Sequence, residues 1–336
     1  MEQFVPEKIY YEPTIVNYEL GKELLNRYEG ANIPFETIEN HNNIESLRTQ
    51  PNSNFTTLKR YLIIGTRKTH KYVPNEKVSD FLVPYTSSGC SAMCLYCYLV
   101  CNYNKCSYMR LFVNREEMMR RLVKKAGSFS DDKVFEIGSN SDLILENTIT
   151  QNLPWTIHEF LKSPKGKLTF PTKFHMVDPL LNLSHQGRVI TRVSLNPQKI
   201  IQQTEFKTSG LFERIEAINK LSEADYPIGI LVAPIIFVDG WKELYTELFQ
   251  QMHDLLSVKA KQKVFFEAIF MTYSFVHQKI NEDAFPQAMQ IYSKEQMTGR
   301  GRGKYWYKQD LRREGTLFFQ ELFEQYFREN LLLYIV

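Results

Sequence analysis

From Phe81 onward the sequence alternates between short apolar runs and longer amphipathic stretches, and few folds accept that order. The strand candidates are Phe81–Tyr85, Lys133–Ile137, Lys167–Pro171, Arg188–Leu195, Ile228–Ala233 and Val264–Phe270. Helix-length stretches lie between them, such as Asn114–Ala126, Thr156–Lys162, Gly210–Ala224 and Trp241–Leu256. Strands joined through helices must pair in parallel. The pattern therefore predicts an α/β chain, a partial (β/α)6 TIM-like barrel. Residues 1–76 are expected as a small N-terminal α/β domain, 77–285 as the barrel, and 286–336 as a C-terminal hairpin and capping helix. In the front part, Glu19–Tyr28 reads as a helix with Leu20, Leu24 and Leu25 at helical spacing, and Arg60–Gly65 as a strand. Asn114 and Glu117 read as an N-cap with its acidic partner. Near the end, Glu314–Phe327 reads as an amphipathic helix through Phe319, Leu322, Phe323 and Tyr326, and Leu331–Val336 as a last strand.

Composition narrows the function classes. The chain has 336 residues, 43% hydrophobic and 13% aromatic, enough for one large core or two smaller ones. Its net charge is only +3, so any nucleic-acid contact must come from local clustering. No apolar run approaches the ~18 residues of a membrane span. The opening MEQFVPEKIYYEP lacks a secretory pattern, so its thiols are expected in the reducing cytoplasm. A monomer is the default expectation.

All five cysteines, Cys90, Cys94, Cys97, Cys101 and Cys106, fall in one stretch. It follows the first strand, and active sites of parallel barrels sit at such strand ends. The first three make C-x₃-C-x₂-C. Three thiolates can hold three irons of a [4Fe–4S] cluster and leave the fourth open to S-adenosyl-L-methionine, whereas four suit an electron carrier. An electron from the cluster would release a 5′-deoxyadenosyl radical, the cofactor carrying the hard chemistry. A disulfide framework fits poorly with an odd count in a long chain. Zinc fits less well, since Cys94 and Cys97 give one pair and no second follows, although Cys101 and Cys106 could complete a local site.

The segments LIIGTRKT, GCSAMCLYCYL, MRLFVNREEM, FEIGSNSD, PTKFHMVDPLL, RVSLNP, ILVAPI, GWKELY and GRGKYWY run in order through nearly the whole chain. With Tyr96 and Tyr98 flanking the last motif cysteine, the chain resembles the spore photoproduct lyase family, radical S-adenosylmethionine enzymes of DNA repair. The resemblance implies reversal of 5-thyminyl-5,6-dihydrothymine to two thymines, started by hydrogen abstraction from the saturated ring. It implies Cys90, Cys94 and Cys97 as cluster ligands, with Gly89 bending the loop towards the cluster. It implies Ser141, Asp142, Lys173, Ser194 and Ala233 at S-adenosylmethionine. Alone, FEIGSNSD reads as a turn plus a helix N-cap, and Lys173 as a surface lysine. Tyr98 is expected to line the lesion pocket and help relay the returning hydrogen, with Tyr96 as its partner. The implied partners are DNA bearing the lesion and a flavodoxin- or ferredoxin-type reductant.

Ser139 departs from the family pattern, E-A-A-C-T-S-D, in which a cysteine thiol donates the hydrogen returned to the product. A hydroxyl is a poor hydrogen donor because its O–H bond is much stronger than S–H. Cys101 and Cys106 are the remaining thiols, candidates for that role or plain buried cysteines. The alternative is another radical enzyme on the same scaffold, or a non-catalytic metal-containing nucleic-acid-binding protein. In 297–308, MTGRGRGKYWYK, Arg300, Arg302, Lys304 and Lys308 could meet phosphates, with Tyr305 among them. Its glycines suit a hairpin tip, and such a hairpin could wedge into a duplex while damaged bases turn out. Without the resemblance this is a flexible basic loop. The histidines show no metal spacing and are assigned no chemistry.

Overall fold

The computed structural model describes residues 4–102 and 108–336, the side chains of residues 101 and 102 excepted. It contains two compact units interleaved along the chain. One comprises Met1–Ser91, Asn102–Pro171 and Asn182–Ile190, and the other Ala92–Cys101, Thr172–Leu181 and Thr191–Val336.

The first unit opens with a five-stranded sheet in the order Phe35–Thr37, Lys8–Tyr11, Tyr61–Gly65, Met109–Phe112, Ser87–Ser88. The first four strands are parallel. Ile9 stands opposite Leu62, and Leu62 opposite Met109; all three are completely buried. Ser87–Ser88 returns antiparallel against Leu111 and Arg110, and leads directly into Gly89 and Cys90. The helix Glu19–Tyr28 forms where its apolar spacing predicts, burying Leu20 and Leu24.

Asn114 is a correction. It stands at the N-cap of the helix Arg115–Gly127, but its side chain caps no backbone N–H. Its amide instead accepts from Arg67 N (2.8 Å) and donates to Arg67 O (3.0 Å) and the Glu117 carboxylate (3.1 Å). The local capping pattern lost to a bond with a residue far back in sequence.

Eight strands belong to the second sheet. In the first unit, Val73–Pro74 lies antiparallel to Phe81–Leu82, which is parallel to Val134–Glu136, itself parallel to Lys167–Thr172. In the second unit, Val189–Leu195 is parallel to Ile228–Ile235, then Phe265–Phe270, then Leu332–Ile335. The six expected strands thus all form. The first is shorter than expected, Phe81–Leu82, because Pro84 has no N–H to continue the ladder. Val193, Leu195, Ile230, Val232, Phe266 and Ala268 are completely buried, and Ser194, Leu231 and Glu267, which point to the opposite face of the same strands, are buried too, as strands covered on both faces require.

Two helices begin earlier than their apolar patterning suggests. Asn152–Phe160 starts before Thr156 because Pro154 sits within the first turn, where its missing N–H costs nothing. The last helix is Gln309–Tyr326. It buries Phe319 and Phe323, whose rings meet Tyr245 (5.1 Å) and Phe249 (4.9 Å) edge-on. Among the described residues, no helix is long and apolar enough to cross a membrane.

Candidate active site

In the second unit, a two-residue strand, Glu205–Phe206, pairs antiparallel with Met93–Cys94 and sets Glu205 opposite Cys94. Leu95 N donates to Thr204 O (2.9 Å) and extends the contact. The Glu205 carboxylate is completely buried and meets four donors. The Tyr96 hydroxyl donates to it, as do Lys173 Nζ (3.1 Å), Asn196 Nδ2 (3.1 Å) and Arg214 Nη2 (2.5 Å). Burial opposes ionisation of Glu205, but Arg214 and then Lys173 outweigh it and hold the carboxyl well below the usual range. Burial first, and then the Glu205 charge, keep the Tyr96 phenol well above its ordinary pKa, so it remains a donor.

Lys173 follows its strand into the same cluster. Besides Glu205, its ammonium donates to Ser194 Oγ (2.8 Å) and Ala233 O (3.0 Å), and Ser194 Oγ donates to Ala233 O (2.7 Å). The ammonium thus donates to three oxygens of this cluster. Arg214 is fully buried and also donates to Ser194 O, Ser209 O and Thr208 Oγ1 at 2.8–2.9 Å. Asn196 is fixed in turn by Tyr245, whose hydroxyl donates to Asn196 Oδ1 (3.0 Å). A buried carboxylate held by four donors, two of them cations, is a rigid electrostatic frame.

The first unit builds a second polar cluster. Gly89 adopts φ +79°, a left-handed turn that residues with a Cβ resist. Its N–H donates to Asn140 O (2.7 Å), and Gly89 bridges to Ser141. Ser141 Oγ lies 2.7 Å from Ser87 Oγ, and Ser87 also bonds the carboxyl of buried Glu146. Burial pushes the Glu146 carboxyl up, against its hydrogen bond with Ser87. Asp142 caps the helix Leu143–Thr150, accepting from Ile144 N (3.1 Å) and Leu145 N (3.2 Å). The buried Lys59 ammonium donates to Cys90 O.

The basic segment near the C-terminus is a hairpin. Met297–Gly301 pairs with Lys304–Tyr307, which also pairs with Thr272–Ser274. Gly301, Arg302 and Gly303 turn the tip with φ of +87°, +52° and +69°. A side chain at Gly303 would strike the Phe275 ring at 2.4 Å. Arg300 and Arg312 each lie over the Trp306 ring, at 4.9 and 4.8 Å. Arg300, Arg302 and Lys304 are exposed, while Tyr305 packs on Tyr292 at 4.8 Å and Tyr307 is buried, its hydroxyl accepting from Phe237 N.

The family model for spore photoproduct lyase matches residues 4–336. The spore photoproduct lyase of Bacillus subtilis (strain 168) is 33% identical over 319 residues, 91% of each chain. The chain belongs to the spore photoproduct lyase family. The Geobacillus sp. (strain Y412MC61) lyase is 29% identical over 320 residues, 94% of each chain. Two solved structures superpose over all of both chains with a TM-score of 0.92 at 27% identity. One is a spore photoproduct lyase mutant with bound AdoMet and dinucleoside spore photoproduct, the other a lyase complexed with that dinucleoside. The α/β fold expected of the sequence is therefore the fold of these lyases.

Within this lyase family member, Tyr96, Lys173, Ser194 and Ala233 converge on one cluster, and Ser141 and Asp142 flank the turn at Gly89. Tyr98 is 53% exposed. Cys90, Cys94 and Cys97 are half-buried. Among the described residues, no three His, Cys, Asp or Glu side chains are gathered to hold a metal ion. Cys106 and the Cys101 side chain lie outside the described residues. Sequence reasoning missed Glu205, Arg214, Asn196, Ser87 and Glu146. Arg214 carried a signal: with Leu211, Ile215 and Ile218 it occupies the apolar stripe of Leu211–Glu223, where a charged residue is buried only when paired.

Proposed function

We propose that this protein is a radical S-adenosylmethionine lyase that reverses the spore photoproduct in DNA to two thymines. The supporting observation is the cluster around Glu205, which joins Tyr96, Lys173, Ser194 and Ala233 beside Cys94 in a chain of the lyase fold. The donor set suits an iron–sulfur cluster, since Cys90, Cys94 and Cys97 are half-buried sulfur ligands, and thiolates are the ligands such clusters take. Those thiolates would hold a [4Fe–4S] cluster, which when bound with S-adenosylmethionine supplies the one-electron cleavage that starts the reaction.

The chain's own residues bind and orient. Lys173 presents a compact cation to the methionine carboxylate, which must share or displace one of its present acceptors. Ser194 and the Ala233 carbonyl stand beside it, and Ser141 and Asp142 are proposed as further contacts to S-adenosylmethionine. Arg300, Arg302 and Lys304 hold phosphates, while Tyr305 flanks the damaged bases, whose extrusion costs least where stacking is already disturbed. Tyr98 lines the lesion pocket. Ser139 holds no thiol, so Cys101 and Cys106 are the proposed hydrogen donors. Reduced thiols suit a cytoplasmic protein served by a flavodoxin- or ferredoxin-type reductant.

Ser139 also favours a second reading, a radical enzyme of the same scaffold acting on another substrate. An anaerobic assay of reconstituted, reduced protein with S-adenosylmethionine and a dinucleotide bearing the lesion separates the two. Release of two intact thymines is expected. 5′-Deoxyadenosine without thymine release would overturn the lyase reading and leave the second. If the Cys101→Ala and Cys106→Ala double variant still gave clean thymine product, neither thiol would be the donor.

A further inference from the structure

The helix Phe275–Ala284 of the second unit reaches the cysteine segment at two backbone carbonyls. His277 Nε2 lies 2.8 Å from Cys97 O, and Asn281 Nδ2 donates to Leu95 O at 2.8 Å. A carbonyl can only accept, so the Nε2 of His277 carries the proton. Its Nδ1 then accepts from the Ser274 hydroxyl at 3.0 Å. His277 and Asn281 are four residues apart and so share one helix face.

The same two residues hold the base of the basic hairpin. Ser274 is the N-cap of this helix and ends the strand Thr272–Ser274, which pairs with Lys304–Tyr307. The second proton of the Asn281 amide goes to the Tyr273 hydroxyl (2.8 Å), and Tyr273 stands opposite Tyr305 in the ladder. Tyr292 closes the stack, with its ring 4.8 Å from Tyr305 and 6.3 Å from Tyr273. His277 stacks on Tyr273 at 5.1 Å. Each of the two side chains therefore bonds both the cysteine segment and the hairpin base, His277 through its two ring nitrogens and Asn281 through the two N–H groups of its amide nitrogen.

We propose that His277 and Asn281 are positioning residues that tie the hairpin to the Cys94–Tyr98 turn, so that DNA held on the hairpin sets the orientation of Cys97 and its neighbouring tyrosines. The idea rests on the lyase reading. The tie is short and made of four side-chain hydrogen bonds, so a shift of Tyr305 or Tyr273 passes to Leu95 and Cys97 with little slack. It would restrain S-adenosylmethionine cleavage until the lesion is seated.

The test uses the reconstituted protein under anaerobic conditions, with a short single-stranded oligonucleotide bearing the lesion. Hydrogen exchange of the peptide around residues 92–100 is followed with and without the oligonucleotide, in the wild type and in His277→Ala, His277→Gln and Asn281→Ala. In the wild type, binding is expected to slow exchange of this peptide several-fold. The alanine variants should bind the oligonucleotide within about threefold of wild type yet lose that response. They should also form at least fivefold more 5′-deoxyadenosine per thymine released. Glutamine, which can still donate to Cys97 O, should restore both. An oligonucleotide that binds the wild type without changing the peptide overturns the coupling and leaves the lyase reading intact. Alanine variants that keep the response and the product ratio also overturn it. A wild type that binds no lesion oligonucleotide overturns the lyase reading and the coupling together.

Discussion

Two buried glutamates, one in each unit, show how differently this protein treats the same carboxyl group. Glu205 is ionised between Arg214 and Lys173, with Tyr96 and Asn196 completing its bonds. Glu146 has no cation in its hydrogen-bonding shell among the described residues; Ser87, Thr86 and Asn152 are its polar neighbours, and Arg67 acts on it only through its charge. Opposite shifts follow, since paired charge favours the carboxylate and apolar burial favours the acid. The difference suits what each supports. Glu205 fixes a cation and a phenol beside Cys94. Glu146 ends a chain of hydroxyls, Ser87 and Ser141, beside the turn at Gly89. Ser87 has one proton and two bonded neighbours. When Glu146 is protonated it can donate to Ser87, which leaves the Ser87 proton for Ser141; when it is ionised the Ser87 proton goes to Glu146.

The contrast predicts its largest effect at Glu205. Glu205→Gln keeps the shape but strands Arg214 and Lys173 without their counter-charge. Unfolding by urea at pH 7 should show a loss of about 3–5 kcal/mol, the usual cost of breaking one side of a buried ion pair. The pH dependence follows from the sign of the shift. A carboxyl depressed in the folded state stabilises above its ordinary value of 4.5, and that contribution is lost as pH falls below it. The gap between wild type and Glu205→Gln should therefore be full at pH 7 and narrow below pH 4.5. An unchanged gap would mean that shape rather than charge holds the cluster.

Tyr96→Phe comes next. It removes one donor and leaves Glu205 its two cations and Asn196. A hydrogen bond to a charged acceptor contributes roughly 1.5–3 kcal/mol, so a loss near 2 is expected in the same urea measurement. Lesion reversal should fall further than stability alone explains if the phenol takes part in hydrogen return. Equal stability for Tyr96→Phe and wild type would show that the hydroxyl does not brace Glu205.

Why the strands were legible in the sequence and the glutamates were not has a physical cause. Val189–Leu195 and Ile228–Ile235 are buried on both faces, so their apolar runs report their environment locally. Glu205 sits between Thr204 and Phe206, with nothing local to mark it. Its burial depends on Tyr96, Lys173 and Arg214, which only the fold assembles. His277 reads as a lone helical histidine, because its partner Cys97 lies 180 residues away in sequence. Asn114 carried a correct local signal and was diverted by Arg67.

The smallest effect is expected at Glu146, and there the sign should invert. A carboxyl raised in the folded state is most favourable below its ordinary value of 4.5, and that advantage is lost as pH rises through the raised folded value. Glu146→Gln mimics the neutral acid, because an amide N–H can donate to Ser87 as the acid does. The variant should lie within about 1 kcal/mol of wild type at pH 5, the scale of one neutral hydrogen bond. At pH 8 it should be equally stable or more so, the reverse of Glu205→Gln. Urea titrations at the two pH values decide it. A variant that loses several kcal/mol at pH 8 would mean that Glu146 is ionised there and meets a cation. The two glutamates would then be alike, and the hydroxyl chain to Ser141 would run from Ser141 towards Glu146 instead.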